Sequence, residues 1–470
     1  MKSWIKGLAL GVAVTCVVWI GVLWHWRSHP QDVGVRDLWL YLGLLPLVVW
    51  GLLLAGRWAL TRAWQKQAGA APAVEPAAVA ASESAPVAAR WWLLGQWLQL
   101  PAAQDAAGLL ETVEAGSPRP SPDAELRDDD GLPVLAARTA TLDTEAIAAE
   151  LPQAAHLGQA GLRALASLQP VVESALGTLQ QWSDRWAVPD TAPGGALPAH
   201  RVRVLVHWPA HWSEAAQTQA LQWLRAQLDR LGAAGLPTKH WPVQAVPGDG
   251  VSLLMQADKL LETLTRQACN DLVLTLACHS DLDSAAIDRL LRERALFQSQ
   301  RQPRGVMPGE GAVGLLWATQ PWPLADDEAM TLCSRPQATH REQPVDAAGR
   351  TRARELTRAV DELLTRQQQT AEQICALVSD SDQHTARATE LFAVSLGRLP
   401  QLDPAEDMRL LGPIVGHLGG VAPLLTLAVG ADWVTQGHAP LLAVSVGDRQ
   451  ARLVACLDRP EPATSPDASA

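Results

Sequence analysis

Short, nearly unbroken apolar runs recur along the chain, and segments of helical period separate them. Val202 to His207 (Val-Arg-Val-Leu-Val-His), Leu272 to Ala277 and Gly311 to Ala318 form one series; Ile374 to Val378, Pro440 to Val446 and Ala451 to Leu457 repeat the theme. A strand that is apolar at successive positions has no wet face, so it belongs inside a sheet covered by helices on both sides. The spacing predicts helices over Ser213 to Leu231, Val251 to about Ala268, Ser284 to Leu296, Ala347 to Gln368, Thr385 to Leu396 and Gly419 to Thr435. A further short strand is expected at Val243 to Val246, followed by a Pro-Gly-Asp-Gly turn, Pro247 to Gly250, that opens a helix. The fold class is α/β, with a layered core.

Upstream of this region lie two uncharged apolar runs, Gly7 to Trp24 and Leu38 to Gly56, 18 and 19 residues long. At ~1.5 Å rise per residue, a helix of that length crosses a hydrocarbon core of about 30 Å. The first run ends in Trp24, His25, Trp26 and Arg27 rather than the small residues of a cleavable leader. Residues 1–66 therefore read as a transmembrane hairpin with spans of about 7–24 and 38–56. Lys2, Lys6, Arg57, Arg62 and Lys66 flank it on one side, against Arg27 and Arg36 in the turn. This bias places both termini in the cytoplasm of a bacterial inner membrane, with the lipid bilayer as a partner. Residues 67–89, rich in Ala and Pro, read as a linker; 90–458 as the cytoplasmic α/β domain; 459–470 as a disordered tail.

A net charge of -11 argues against a nucleic-acid surface, which would need a basic face to neutralise phosphates, so nucleic acid is not an expected partner. The six cysteines, Cys16, Cys269, Cys278, Cys333, Cys375 and Cys456, lack CxxC spacing and histidine partners. Neither a structural zinc site nor a disulfide framework is legible, and no cofactor motif appears.

Three strings carry a family likeness. Arg304 to Leu316 reads Arg-Gly-Val-Met-Pro-Gly-Glu-Gly-Ala-Val-Gly-Leu-Leu; Leu411 to Leu425 contains Gly416-His417 and then Leu-Gly-Gly-Val-Ala; Trp92 to Gly116 runs from an apolar stretch through Leu-Pro into a helix ending at Gly. In order and spacing they resemble the β-ketoacyl synthase family of the thiolase-like superfamily, from Arg90 to about Leu457. The resemblance implies a thiolase-like domain that pairs across a two-fold axis, hence a homodimer, and a possible acyl-carrier or membrane-protein partner.

The departures from that family bear on function. A ketosynthase carries its nucleophilic cysteine at a strand-to-helix turn, where the helix N-terminus lowers the thiolate pKa. Counting back from Asp271 places that position at Val251 or beside it, with Ser252 next in line. The family's first histidine string is replaced by Val378-Ser379-Asp380-Ser381-Asp382, with His384 slightly beyond, and Gly412, Pro413 and Ile414 stand where a catalytic lysine would be. His417 and Glu310 survive as vestigial candidates, each more suited to shaping a loop than to chemistry.

Weaker candidates include His279-Ser-Asp-Leu-Asp283, which has the HxxxD spacing of some acyltransferases, where the histidine is a general base. His207 and His211 are separated by Pro209, which prevents a shared helical face. Asp128, Asp129 and Asp130 read as a solvated turn rather than a calcium loop. The expectation is a membrane-anchored, catalytically inactive ketosynthase-like binding or scaffolding module. The alternatives are a divergent acyltransferase using Ser252, His279 or His417 on acyl-carrier or coenzyme A thioesters, and an accessory subunit of an envelope or secretion machine.

Overall fold

The computed structural model describes residues 90–186, 201–232, 236, 238–322, 330–347 and 353–460. The strands are β1 (Arg90–Gln99), β2 (Ser121–Arg127), β3 (Pro133–Ala136), β4 (Val202–His207), β5 (Val243–Ala245), β6 (Leu272–Ser280), β7 (Glu310–Ala318), β8 (Thr331–Ser334), β9 (Gln337–His340), β10 (Ala376–Ser379), β11 (Met408–Leu410), β12 (Leu441–Ser445) and β13 (Ala451–Asp458). The α-helices are α1 (Ala106–Ala115), α2 (Thr144–Glu150), α3 (Gly158–Trp186), α4 (Glu214–Leu231), α5 (Gly250–Arg266), α6 (Ser284–Arg292), α7 (Arg354–Gln367), α8 (Thr385–Arg398), α9 (Gly412–Val415) and α10 (Ala422–Thr435).

One mixed sheet runs β11-β10-β12-β13-β8-β1-β7-β6-β4-β5, with β9 added beside β13. Its two halves repeat one another. In the first, β5, β4 and β6 are parallel, and β7 and β1 follow antiparallel. In the second, β11, β10 and β12 are parallel, and β13 and β8 follow antiparallel. The halves join where β1 pairs with β8. Every residue of β6 and β7 is buried, as their uninterrupted apolar runs require.

The helix after the second strand of each half's parallel run lies beneath the sheet. α5 buries Val251, Leu253, Leu254, Ala257, Leu261 and Leu264, while α10 is predominantly apolar and buried from Pro423 to Ala431 without a break. An added Cβ at Gly430 would come within 2.6 Å of Leu457, so this glycine sets how closely α10 lies on β13. The opposite face is covered by α3, whose Leu165, Leu168, Val172 and Ala175 join a second core with Val204, Leu274, Leu276 and Leu316.

The sequence reading assigned no element to the stretch that forms α3, which contains Pro170. The ring costs one backbone hydrogen bond, and packing along 29 residues overrides that cost. β6 extends three residues past its expected end to take in Cys278, His279 and Ser280. α6 stops at Arg292, because Arg294 turns to φ 53 and the chain then folds back through a bridge between Leu296 and Val306.

The multi-pass inner-membrane location is corrected here. Among the described residues no helix is long and apolar enough to cross a membrane. The longest, α3, carries Arg163 and Glu173 and buries only one stripe of apolar side chains. The two runs read as spans, 7–24 and 38–56, lie outside the described residues, as do the linker 67–89 and residues 461–470 of the tail.

Candidate functional site

A cavity of about 420 Å³ opens at the C-terminal ends of β4 and β6. Its floor is the start of α5 and the loop between α9 and α10, and His207, His211, His279, His417, Gly250 and Val251 are among the residues lining it. The position follows from the topology: ligands of parallel sheets collect beyond the carboxyl ends of the strands.

Backbone packing aligns the histidines. Gly309 and Gly416 let the loop before β7 dock on the segment after α9: a Cβ at Gly309 would stand 2.5 Å from the Val415 carbonyl, and Gly416 adopts φ 69. The amide of His417 then donates to the Met307 carbonyl at 2.8 Å. Two strings that resembled one family in sequence therefore meet through main chain. Further along, a Cβ at Gly419 would lie 2.7 Å from His279 Nδ1, one at Gly420 2.2 Å from His207 Nε2, and one at Gly250 2.0 Å from the Gly420 carbonyl. Only glycine admits this approach of loop, helix start and imidazole rings.

Asp281, buried just past β6, organises the site. Its Oδ2 lies 2.9 Å from His279 Nε2 and 3.3 Å from His417 Nδ1, and its Oδ1 accepts from Arg289. Burial opposes ionisation of Asp281, but His279 and His417 outweigh it and hold the carboxyl well below the ordinary range. The rings of His279 and His417 are edge-to-face, with centroids 5.4 Å apart. One ligand atom from each of His279, Asp281 and His417 lies within 4.8 Å of the others, a set able to hold a metal ion. His207 is buried, and burial lowers its pKa against an opposing backbone hydrogen bond with Val246.

The HxxxD reading is corrected at its acid. Asp283 caps α6 through the Ala286 amide at 2.7 Å and accepts from the Ala160 amide at 2.9 Å, so Asp281, two residues from His279, is the partner instead. This spacing was missed because a strand end lets i and i+2 meet once the chain turns, and His417 arrives from 136 residues away.

Of the positions expected to carry vestigial chemistry, Val251 lines the cavity at the first turn of α5. Ser252 instead donates its hydroxyl to Asp249, at 2.7 Å, within the cap of the same helix. Glu310 is fully buried away from the cavity. It accepts from Arg163 (2.8 and 2.6 Å), the Thr139 amide (2.7 Å) and the Ser280 hydroxyl (3.1 Å), tying α3, β6 and β7 together. None of the described cysteines lines the cavity. Cys278 precedes His279 but points to the opposite face of β6, among Leu276 and Ala312, where burial raises its pKa.

In the stretch read as standing in for the family's first histidine, Asp380 is buried and accepts from Ser445 Oγ (2.5 Å) and the amides of Val446 (2.6 Å) and Gly447 (3.0 Å). Burial raises its pKa despite those bonds. His384 lines the cavity, but Nδ1 accepts from the Ala386 amide and Nε2 faces Asp346 at 3.1 Å, so both ring nitrogens are engaged. Asp128, Asp129 and Asp130 form a turn pinned by Arg301 and Gln298, as a solvated acidic loop would be.

No protein-family model matches the chain, and no curated protein matches it. Solved structures do. A complex of the ketosynthase ApeO with its chain length factor ApeC, from Xenorhabdus doucetiae, aligns over 81% of this chain and 100% of that one, at 11% identity and a TM-score of 0.54. The oxazolomycin ketosynthase domain OzmH KS7 of Streptomyces albus JA3453 covers 80% of this chain and 75% of its own at 12% identity and a TM-score of 0.54. The type II polyketide synthase assembly AntDE:AntF, an acyl-carrier protein with its ketosynthase bound to the hexaketide, covers 79% and 100% at 12% identity and a TM-score of 0.51. At these identities the likeness is one of fold.

Proposed function

Because the chain has a ketosynthase-like fold of the thiolase superfamily, we propose that it is a catalytically inactive ketosynthase-like protein that binds or scaffolds, with an acyl-carrier protein as a partner. One observation carries the reading. At the helix start where the family's resemblance calls for a thiol, Val251 lines the cavity, and no described cysteine does. An aliphatic side chain offers no lone pair, so a thioester on the protein cannot form there.

The cavity volume lies within the range of small-molecule sites, and its lining mixes Arg294, Arg304 and Arg449 with Asp249, Glu293, Asp346 and Asp448. The similar structures include a ketosynthase with its acyl-carrier protein and a ketosynthase with a chain length factor. Pairing with a second copy of this chain and docking of a carrier both fit that setting. The test is incubation of the full chain with acyl-carrier thioesters, followed by intact mass spectrometry. Saturable carrier binding without a covalent adduct or thioester loss is expected, and Val251→Cys is expected to gain an adduct.

Thioester turnover by the unaltered protein, abolished in His417→Ala, would favour the second reading, a divergent acyltransferase. Its support is the His279–Asp281–His417 arrangement, in which a buried carboxylate orients two imidazoles toward a cavity.

A further inference from the structure

We propose that His279, Asp281 and His417 bind one divalent transition-metal ion of the zinc class, a site that goes beyond the carrier-binding reading and stands without it. Two of the three donor separations are those of atoms sharing an ion, and the third is within reach of one. Donors held at about 2.0–2.2 Å from one zinc, with angles of roughly 90–110°, sit about 2.9–3.5 Å apart. Asp281 Oδ2 lies 2.9 Å from His279 Nε2 and 3.3 Å from His417 Nδ1, and all three donors fall within 4.8 Å.

The donor set is chemically selective. Two imidazoles and a carboxylate suit zinc and its neighbours, whereas calcium and magnesium take oxygen shells. Three protein donors also leave a coordination position for solvent or a ligand group.

The surroundings are those of a supported site. Arg289 holds Oδ1 of Asp281, leaving Oδ2 as the single donor atom aimed between the rings. Gly419 allows the loop to lie against His279, and the His417 amide is fixed on Met307, so neither ring depends on a flexible backbone. Both histidines line the cavity, and the side chain of His417 is 27% exposed, which supplies an entry path.

The test is titration of the chelator-treated full chain with Co²⁺ alone, read by visible d–d absorption, and with Zn²⁺ alone, read by equilibrium dialysis. One ion per chain is expected. His417→Gln, on a partly exposed loop and checked for fold by circular dichroism, is expected to weaken binding by at least about 100-fold, while Asp129→Asn leaves it unchanged. X-ray absorption of the zinc-loaded unaltered protein should show imidazole scattering, so the proposal stays testable if variants misfold. Absence of stoichiometric binding, a shell without imidazole, or equal affinity in His417→Gln would overturn it.

Discussion

Glu310 and Arg163 form a buried pair whose side chains are 0% and 13% exposed. Removing one member of such a pair strands the other charge, at a cost of about 3–5 kcal/mol. Glu310→Gln is therefore expected to lower unfolding free energy by that order, measured by urea denaturation, because its four contacts hold three elements together. A loss below about 1 kcal/mol would contradict the role given to it. The buried histidines set a pH dependence. Burial lowers the pKa of His207 below its ordinary 6.5, against a backbone hydrogen bond with Val246 and the nearby Asp249 carboxylate. Burial, and then Arg387, lowers that of His384, with Asp346 and Asp382 opposing. Between neutral pH and the lowered folded values the unfolded chain binds more protons, so stability falls as pH drops below about 6.5. Urea midpoints at pH 7 and about 5.5 should show the decline, and it should flatten in His207→Gln.

Among elements, α3 shows most clearly what packing adds. The helix runs through Pro170, and Leu165 and Leu168, a turn apart just before it, are fully buried in a core shared with β4, β6 and β7. Leu165→Ala is expected to cost about 2–5 kcal/mol through lost burial and the cavity left behind, read as a lower thermal midpoint. The loop between α9 and α10 makes the opposite point: it stores little energy but much geometry. Gly420→Ala would bring a Cβ to 2.2 Å from His207 Nε2. A destabilisation of about 1–3 kcal/mol is expected, together with shifted histidine resonances in the NMR spectrum. Continuous apolar runs made β4, β6, β7, β12 and β13 legible to within a few residues, since a doubly covered strand needs that composition. The short strands β8, β9 and β11 were not, since a run of three or four residues is legible only where a turn or a longer apolar stretch marks it, as at β5 and β10.

For the whole molecule, the two five-strand halves meeting at β1 and β8 produce a single sheet with one cavity-bearing end for the parallel strands of the first half. If the chain pairs with itself, mass photometry of the full protein at submicromolar concentration should show a species of twice the chain mass, and monomer alone would remove the homodimer. Composition and spacing by themselves determined the layered α/β class, because it is local: the period of the apolar residues reports burial. Tertiary structure alone decided that Asp281, not Asp283, partners His279, that Glu310 ties α3, β6 and β7 together, and that His417 arrives beside Asp281. Those outcomes depend on which loops approach across the sheet, and glycine contacts at Gly309, Gly419 and Gly420, set by long-range packing, control that approach.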